Sequence, residues 1–251
     1  MLCAVRPSIY LEVEKFSLLF RTAIPFPHVV IDNFLNESVA EKLVEEFPRI
    51  SSMHRCHHYL FANKYELSSW SSLSNSFYIL HQELLSNQFS SFICKISGES
   101  LFIDAEVYGD LQQANNGGFL DMHADSNLHP IRENWIHRLN LMIYLNKNWR
   151  QEYGGHLQLK SNLEEIGKKF APVFNRCVIM LSSDTTYHGY TRLNIPNDMT
   201  RKSIVIHFYK QEALNKVPFR KMTTWMPEKQ LKRSFAKLYN PLASLKKRWW
   251  G

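Results

Sequence analysis

Hydrophobic residues recur at two different periods along the chain, and the period changes near Gly98. Before that point, apolar positions lie three or four residues apart, which predicts one helix over about 38–47 and a second over about 73–89. The short apolar run Val29–Ile31 predicts a strand ahead of the first helix. Helices are therefore expected to dominate the first hundred residues.

After Gly98 the chain consists of short runs of β-branched and aromatic residues separated by Gly, Asn, Asp and Pro. This pattern is typical of an antiparallel barrel or sandwich. Gly154 and Gly155 occupy a predicted turn that requires positive backbone dihedral angles. The predicted strands cover 101–108, 119–123, 137–145, 156–159, 177–181 and 201–209, and His188 lies at the end of another.

Two of these strands indicate what the barrel encloses. Alternation divides 137–145 into an apolar face and a second face with polar residues, and it divides 201–209 in the same way. Because such faces are too long to be plain solvent edges in central strands, we infer a small barrel with a polar lumen that holds a ligand. The inward residues are Arg138, Asn140, Met142 and Tyr144 on the first strand, and Arg201, Ser203, Val205 and His207 on the second.

Length and composition favour one domain. The chain has 251 residues, of which 45% are hydrophobic, enough to bury one substantial core. We divide it into an N-terminal support region of strand and helices over 1–97, a barrel core over 98–210 and a C-terminal extension over 211–251. The four scattered cysteines favour reduced thiols, and no leader or membrane-spanning stretch is evident. We therefore expect a soluble, cytoplasmic protein that is not an integral membrane protein.

Positive charge is concentrated at the C-terminus. Residues 210–251 hold 11 Lys and Arg against 2 acidic residues, whereas residues 1–209 hold 19 basic and 21 acidic residues. A near-neutral body argues against nucleic acid as a partner and leaves the basic tail as a candidate contact for an acidic partner or surface. The favoured interpretation is a C-terminal helix that packs Leu242, Leu245 and Trp249 on the barrel.

A candidate metal site lies within the barrel region. His123 and Asp125 are two residues apart, so an extended backbone points both side chains to one side. His188 would then arrive from a neighbouring strand. Two imidazoles and one carboxylate are the donor set of the facial triad that binds Fe(II) and leaves coordination positions open.

These three residues need corroboration, since about 0.3 His-x-Asp pairs are expected by chance in a chain of this composition. Arg201 supplies it, because it stands 13 residues after His188 on the inward face of its strand. A planar guanidinium at that position could bind the far end of a dicarboxylate in a bidentate pair.

Longer motifs add a family resemblance. The run RLNLMIYLNKNWRQEYGGHLQL from Arg138, followed by FNRCVIMLSSDTTYHGYT and MTRKSIVIHFY, resembles the prolyl-4-hydroxylase-like branch of the 2-oxoglutarate and Fe(II)-dependent dioxygenases. The resemblance covers about 101–209, and PFPHVVIDNFLNES near the N-terminus also fits it. It implies an α+β fold: a double-stranded β-helix, a jelly-roll or cupin-like barrel, with N-terminal helices packed on one face and a short C-terminal helical tail.

The resemblance also implies site residues and cofactors. His123, Asp125 and His188 would ligate Fe(II), and Arg201 would bind the distal carboxylate of the cosubstrate 2-oxoglutarate, with ascorbate as a candidate reductant. The remaining expected cosubstrate contacts are Tyr144, which would hydrogen-bond the same carboxylate, Tyr108, which would line the pocket, and Ser203. The segment 126–135 is expected to form a mobile lip over the site.

The expected reaction consumes O2 and hydroxylates an unactivated C–H bond with release of succinate and CO2. A prolyl, amino-acid or peptidyl substrate is favoured because the resemblance lies closest to prolyl hydroxylases. Three alternatives stay open. The first keeps the chemistry on a sugar, lipid or natural-product intermediate, the second is nucleic-acid demethylation, and the third is a non-catalytic cupin-like metal-binding module.

Overall fold

A computed structural model describes residues 3–161 and 167–250, with side chains as far as residue 244. Its helices are α1 Pro7–Leu11, α2 Val13–Thr22, α3 Glu37–Glu45, α4 Asn75–Leu84, α5 Asn87–Ser97 and α6 Gln230–Trp250. Its strands are β1 His28–Asp32, β2 Arg55–Tyr59, β3 Ala62–Ser68, β4 Gly109–Ala114, β5 Phe119–Ala124, β6 Trp135–Tyr144, β7 Leu157–Ser161, β8 Lys168–Phe170, β9 Arg176–Leu181, β10 Thr186–Tyr190, β11 Arg201–Gln211 and β12 Thr224–Trp225.

The strands form one antiparallel sheet in the order β1-β9-β6-β11-β4-β3-β5-β10-β7-β8, with β2 paired to β3 and β12 paired to β5. Strands far apart in this order line the same cavity: Tyr144 of β6 and Ser203 of β11 face Leu157 of β7 and His188 of β10. The sheet is therefore curled, which confirms the predicted jelly-roll barrel. Strands from 1–97 and from 211–251 belong to the same sheet as those of the predicted core.

The convex side of the sheet carries the main hydrophobic core, as the alternation predicts. Leu139, Leu141 and Ile143 of β6, together with Ile204 and Ile206 of β11, are fully buried. They pack in one cluster with apolar side chains of helices α1–α5. Burying these faces under helices leaves the opposite faces of the two strands to line the barrel interior.

Several predicted elements need correction. Residues 101–108 are not a strand apart from a single bridge between Phe102 and Tyr209, because Asp104 Oδ1 accepts hydrogen bonds from the backbone of Glu106 and Val107 and turns the chain. The predicted helix over 73–89 is two helices, since Ser86 Oγ caps α5 by accepting from the Phe89 amide.

Helices α1 and α2 and the β2–β3 hairpin were not predicted from the sequence. The hairpin has no apolar alternation, because β2 is mostly exposed and the inward positions of β3 include Lys64 and Glu66. The expected packing of the tail on the barrel is wrong at Leu242, which is 64% exposed on α6. Leu245 and Trp249 lie outside the described side chains.

Asn175, just before β9, bonds buried backbone groups of the segment that follows β1. Its side chain accepts from the Leu35 amide and donates to the Leu35 carbonyl, both at 2.8 Å, and its own φ is 58°. Asparagine tolerates this left-handed conformation better than most residues.

We expect Asn175→Ala to lower the free energy of unfolding by about 2 to 4 kcal/mol, because it leaves two buried groups of Leu35 without partners. Urea denaturation measures the change. Asn148→Ala is the matched control, since Asn148 also has a positive φ of 53° but is exposed. Equal losses in the two variants would assign the effect to backbone strain and contradict the hydrogen-bond explanation.

Candidate metal and cosubstrate site

The predicted metal ligands converge because β5 and β10 are hydrogen-bonded neighbours. His123 and His188 stand directly opposite each other in the register, and their ring centroids are 4.3 Å apart. Asp125 follows β5 immediately. Its carboxylate oxygens lie 3.3 Å from His123 Nε2 and 3.7 Å from His188 Nε2. One ligand atom from each of the three residues lies within 4.8 Å of the other two.

The protonation states of this cluster suit a divalent cation. Burial lowers the pKa of His188 to about 3, so its imidazole is neutral and keeps a lone pair. Burial by itself would raise the pKa of Asp125, but His188 and His123 outweigh it and hold that pKa well below its ordinary value. Two imidazoles with an ionised carboxylate are a donor set that fits Fe(II), and no other group of three or more such ligands occurs in the described part of the chain.

A hydrogen-bond network fixes the orientation of Asp125. Asn140 Nδ2 donates to Asp125 Oδ2 at 2.7 Å. The amide oxygen of Asn140 accepts from His207 Nδ1 at 2.7 Å and from His137 Nε2 at 3.0 Å. Burial lowers the pKa of His137 to about 4, so this imidazole is neutral and can accept from Ser182 at its other nitrogen. Asn140 thus bonds the same carboxylate oxygen, Oδ2, that lies 3.7 Å from His188 Nε2, and this bond fixes the carboxylate beside the two histidines.

Arg201 enters the cavity from the first residue of β11. The side chain is 4% exposed, and Nε donates to the Gly155 carbonyl at 2.9 Å. Its guanidinium lies 4.0 Å from the ring centroid of Tyr190 and 5.0 Å from that of Tyr144. Among the described residues, no carboxylate lies within ion-pair distance of Arg201, so a buried cation faces the cavity without an anion.

The turn before β7 is shaped for this arginine. Gly155 has a φ of 64°, and a Cβ there would lie 2.4 Å from a methyl carbon of Leu193 and 3.2 Å from Arg201 Cδ. Only glycine therefore lets the Arg201 side chain approach closely enough to bond the Gly155 carbonyl. Gly154 has a φ of 68°, so both glycines adopt the positive angles that the sequence predicts.

One cavity of about 210 Å³ contains both the metal cluster and Arg201. Tyr144 and Ser203 line it beside Arg201, at paired positions of β6 and β11. Burial raises the pKa of Tyr144, so its phenol stays protonated. A second cavity of about 430 Å³ adjoins the first, and both are lined by Asp125, Asp110, His207 and Thr223.

Two residues singled out from the sequence lie elsewhere. Tyr108 is buried in the helical core, where its hydroxyl donates to Ser71 Oγ at 2.9 Å and its ring packs against Trp70, so it does not line the cavity. The coil at 101–108 turns it away from the barrel. Arg138 pairs with Glu99 at 2.6 Å on the rim of the molecule rather than facing inward.

The segment 126–135, expected to form a lip over the site, is held by burial and hydrogen bonds at its centre. His129 is fully buried, and its Nδ1 accepts from the amides of Ile131 and Arg132. Ser126, Leu128 and Pro130 line the second cavity. The segment therefore forms a wall beside the metal cluster.

The structure adds cavity residues that sequence reasoning did not single out. Lys64 and Glu66 of β3 form a buried ion pair at 2.6 Å. Trp225 of β12 pairs with His123 in the register and places its ring 5.0 Å from that imidazole. For Tyr190 the sequence did contain a signal: it lies two residues after His188, so an extended strand places both side chains on the same face. The sequence contains no such signal for Lys64, Glu66 or Trp225, because β3 and β12 lack an amphipathic pattern.

The chain was compared with known proteins. Residues 109–209 match the model of the 2OG-Fe(II) oxygenase superfamily. No curated protein matches the chain. Similar solved structures include a prolyl hydroxylase from Trichoplax adhaerens in complex with a hypoxia-inducible factor peptide. This hydroxylase is 17% identical to the chain, with a TM-score of 0.61. The match covers 81% of this chain and 93% of the hydroxylase.

Two further solved structures have the same fold. A Pseudomonas putida prolyl-4-hydroxylase has 15% identity and a TM-score of 0.61, with coverage of 80% of this chain and 100% of that one. A Phytophthora capsici prolyl 4-hydroxylase has 18% identity and a TM-score of 0.60, with coverage of 94% and 74%. The family match falls on the strands that carry the metal cluster and Arg201. Residues 109–209 of this chain are therefore similar to the 2OG-Fe(II) oxygenase superfamily, and the chain has the fold of the prolyl hydroxylases.

Proposed function

We propose that the protein hydroxylates an unactivated C–H bond of a prolyl, amino-acid or peptidyl substrate. One observation carries the proposal: a single cavity holds a His-Asp-His cluster and, apart from it, a buried arginine that has no carboxylate partner in the described part of the chain. These are the two features that a metal-chelating dicarboxylate such as 2-oxoglutarate requires. The similarity to prolyl hydroxylases, one of them in complex with a peptide, supports the substrate class.

His123, Asp125 and His188 would hold the metal, because they combine two imidazoles with an ionised carboxylate. When bound together, Fe(II) and 2-oxoglutarate activate O2, so that one oxygen atom enters succinate, the other enters the hydroxylated product, and CO2 is released. The protein's own contribution is to position the reactants and to keep water from the site. Trp225 serves the second purpose by covering one side of His123.

Arg201 would bind the distal carboxylate of 2-oxoglutarate as a charge-assisted pair. The bond to Gly155 and the stacking on Tyr190 restrict its guanidinium before the ligand arrives, which lowers the entropic cost of binding. The Tyr144 hydroxyl donates to the thioether of Met142 at 3.5 Å, and a thioether is a weak acceptor. We infer that this hydroxyl turns to the carboxylate and that Ser203 contacts it from the neighbouring strand.

The substrate would approach through the second cavity, since that cavity reaches Asp125 but is not lined by Arg201. Its lining combines polar residues such as Ser68, Glu106 and Asp110 with Leu128 and Pro130 of the 126–135 segment. A cavity with polar groups among apolar ones suits a peptide, whose backbone amides and carbonyls need partners when they leave water.

Removing a metal ligand is the direct test of the chemistry. We expect His123→Ala to abolish succinate release when protein loaded anaerobically with Fe(II) and 2-oxoglutarate is exposed to O2. His58→Ala is the control, because His58 is exposed on β2. Equal succinate from wild type and His123→Ala would exclude the proposed site.

Loss of the arginine should affect the cosubstrate selectively. We expect Arg201→Gln to weaken 2-oxoglutarate binding by about thirty-fold to several-thousand-fold, which corresponds to about 2 to 5 kcal/mol for an unpaired buried carboxylate. Anaerobic titration calorimetry on Fe(II)-loaded protein measures this, and Arg192→Gln provides an exposed control. Unchanged affinity in Arg201→Gln would assign the distal carboxylate to another residue.

The Asn140 network predicts a positioning role. We expect Asn140→Ala to lower Fe(II) affinity by about 10- to 100-fold, because the Asp125 carboxylate loses the donor that orients it. Anaerobic Fe(II) titration measures the affinity, and thermal unfolding of the metal-free protein separates a general loss of stability. If Asn140→Ala binds Fe(II) as tightly as wild type, the amide has no part in orienting the ligand.

A further inference from the structure

Helix α6 exposes a continuous stripe of large apolar side chains. Leu231 is 80% exposed, Phe235 61%, Leu238 70% and Leu242 64%. Intervals of four, three and four residues place all of them on one face of the helix. A contiguous apolar surface of this kind on a folded protein marks an interaction site.

The opposite side of α6 is anchored to the body, so the stripe cannot turn inward. Ala236 is buried, and Lys232 Nζ lies 2.7 Å from Asp121 Oδ2. Asn240 makes two hydrogen bonds of 3.0 Å to the Trp225 backbone, accepting from its amide and donating to its carbonyl. The stripe is therefore presented outward by contacts that hold the helix in place.

The apolar surface continues beyond the helix. Phe235 and Tyr239 form a groove of about 370 Å³ with Tyr59, Leu60 and Phe61 at the turn of the β2–β3 hairpin. Tyr59 and Leu60 are each almost half exposed. The surface is thus a broad patch made by two separate elements, which we call the α6 patch.

The charges around the α6 patch select its partner. Residues 229–250 contain seven Lys and Arg and no Asp or Glu, and the described cations Lys229, Arg233 and Lys237 are exposed. A second copy of the chain would bring like charges together along the stripe, since nothing on α6 offers a complementary acid. The occupant must therefore combine an apolar layer with negative charge.

We infer that the α6 patch docks the protein on an anionic lipid surface. A basic amphipathic helix lies in the headgroup region with its apolar side chains inserted, and attraction to anionic lipids strengthens the binding. None of the helices in the described residues is long and apolar enough to cross a membrane, so α6 lies on the surface. Tyr59 lines both the groove and the metal cavity, which places a mouth of that cavity beside the lipid.

Vesicle sedimentation with the full-length protein tests this, and it requires no substrate. We expect binding to vesicles of phosphatidylcholine mixed with phosphatidylglycerol, weaker binding to phosphatidylcholine alone, and loss of the difference at high salt. The double variant Leu231→Gln/Leu238→Gln should lose at least about tenfold in partitioning, because two exposed leucines no longer enter the lipid. Its succinate release without vesicles should equal that of wild type.

Matched variants separate the two components of the surface. Leu11→Gln/Leu18→Gln makes the same chemical change at exposed leucines of α1 and α2 and should leave vesicle binding unchanged. Arg233→Gln/Lys237→Gln should weaken binding to the anionic vesicles only. The inference fails if wild type binds neither kind of vesicle or if Leu231→Gln/Leu238→Gln binds as wild type does. It also fails if the leucines instead support dimerisation in sedimentation velocity without vesicle binding. The lipid result does not depend on whether hydroxylation is observed.

Discussion

The pairing of β5 with β10 is the constraint on which the site depends. It sets His123 directly opposite His188, although 65 residues separate them in the chain. A slip of one residue in this register would send one imidazole to the far face of the sheet. The next strands on each side, β3 and β7, confine both members of the pair. The metal cluster is therefore a consequence of sheet topology, and Asp125 joins it through local geometry alone.

The charged side chains inside the barrel fall into two groups, one paired within the protein and one without a protein partner among the described residues. Glu66 is satisfied by Lys64 at 2.6 Å, His57 at 2.7 Å and Arg55 at 3.2 Å, so the charges on the β2–β3 side are paired within the protein. Arg201 has no such partner among the described residues. A buried cation is costly unless an anion accompanies it, so the fold itself leaves a place for a carboxylate beside Tyr144 and Tyr190.

Sequence patterns predicted those parts of the structure in which one strand face is buried under helices. Alternation in 137–145 and 201–209 correctly separated Leu141 and Ile206 from Asn140 and His207, because burial of one face fixes the other. The predicted position of Tyr108 in the cavity was wrong, because the Asp104 side chain accepts a hydrogen bond from the Glu106 amide and turns the chain before β4 begins. Arg138 also follows the alternation but pairs with Glu99 at the edge of the sheet.

What alternation could not find are residues whose positions come from tertiary contacts. Lys64 and Glu66 occupy inward positions of β3, where a core strand would carry apolar side chains. The sequence of β3 therefore has no alternation from which a strand could be predicted. The two-residue strand β12 is too short to have a period at all. Trp225 reaches His123 because β12 pairs with the end of β5, at His123 and Ala124, whereas β3 pairs with β5 at Phe119 and Leu120.

The pairing of β12 with β5 links the C-terminal helix to the chemistry. Asn140 holds Asp125 from within the barrel, while Asn240 of α6 holds the backbone of Trp225, whose ring packs against His123. The helix thus has two faces with different contacts: the anchored face holds the backbone of Trp225, which lines the metal cavity, and the outward face carries the apolar stripe. Because the same helix has both faces, whatever binds the stripe lies at a fixed distance and angle from the His-Asp-His cluster. The position of the external surface relative to the reacting atoms is therefore set by the fold, without a flexible linker between them.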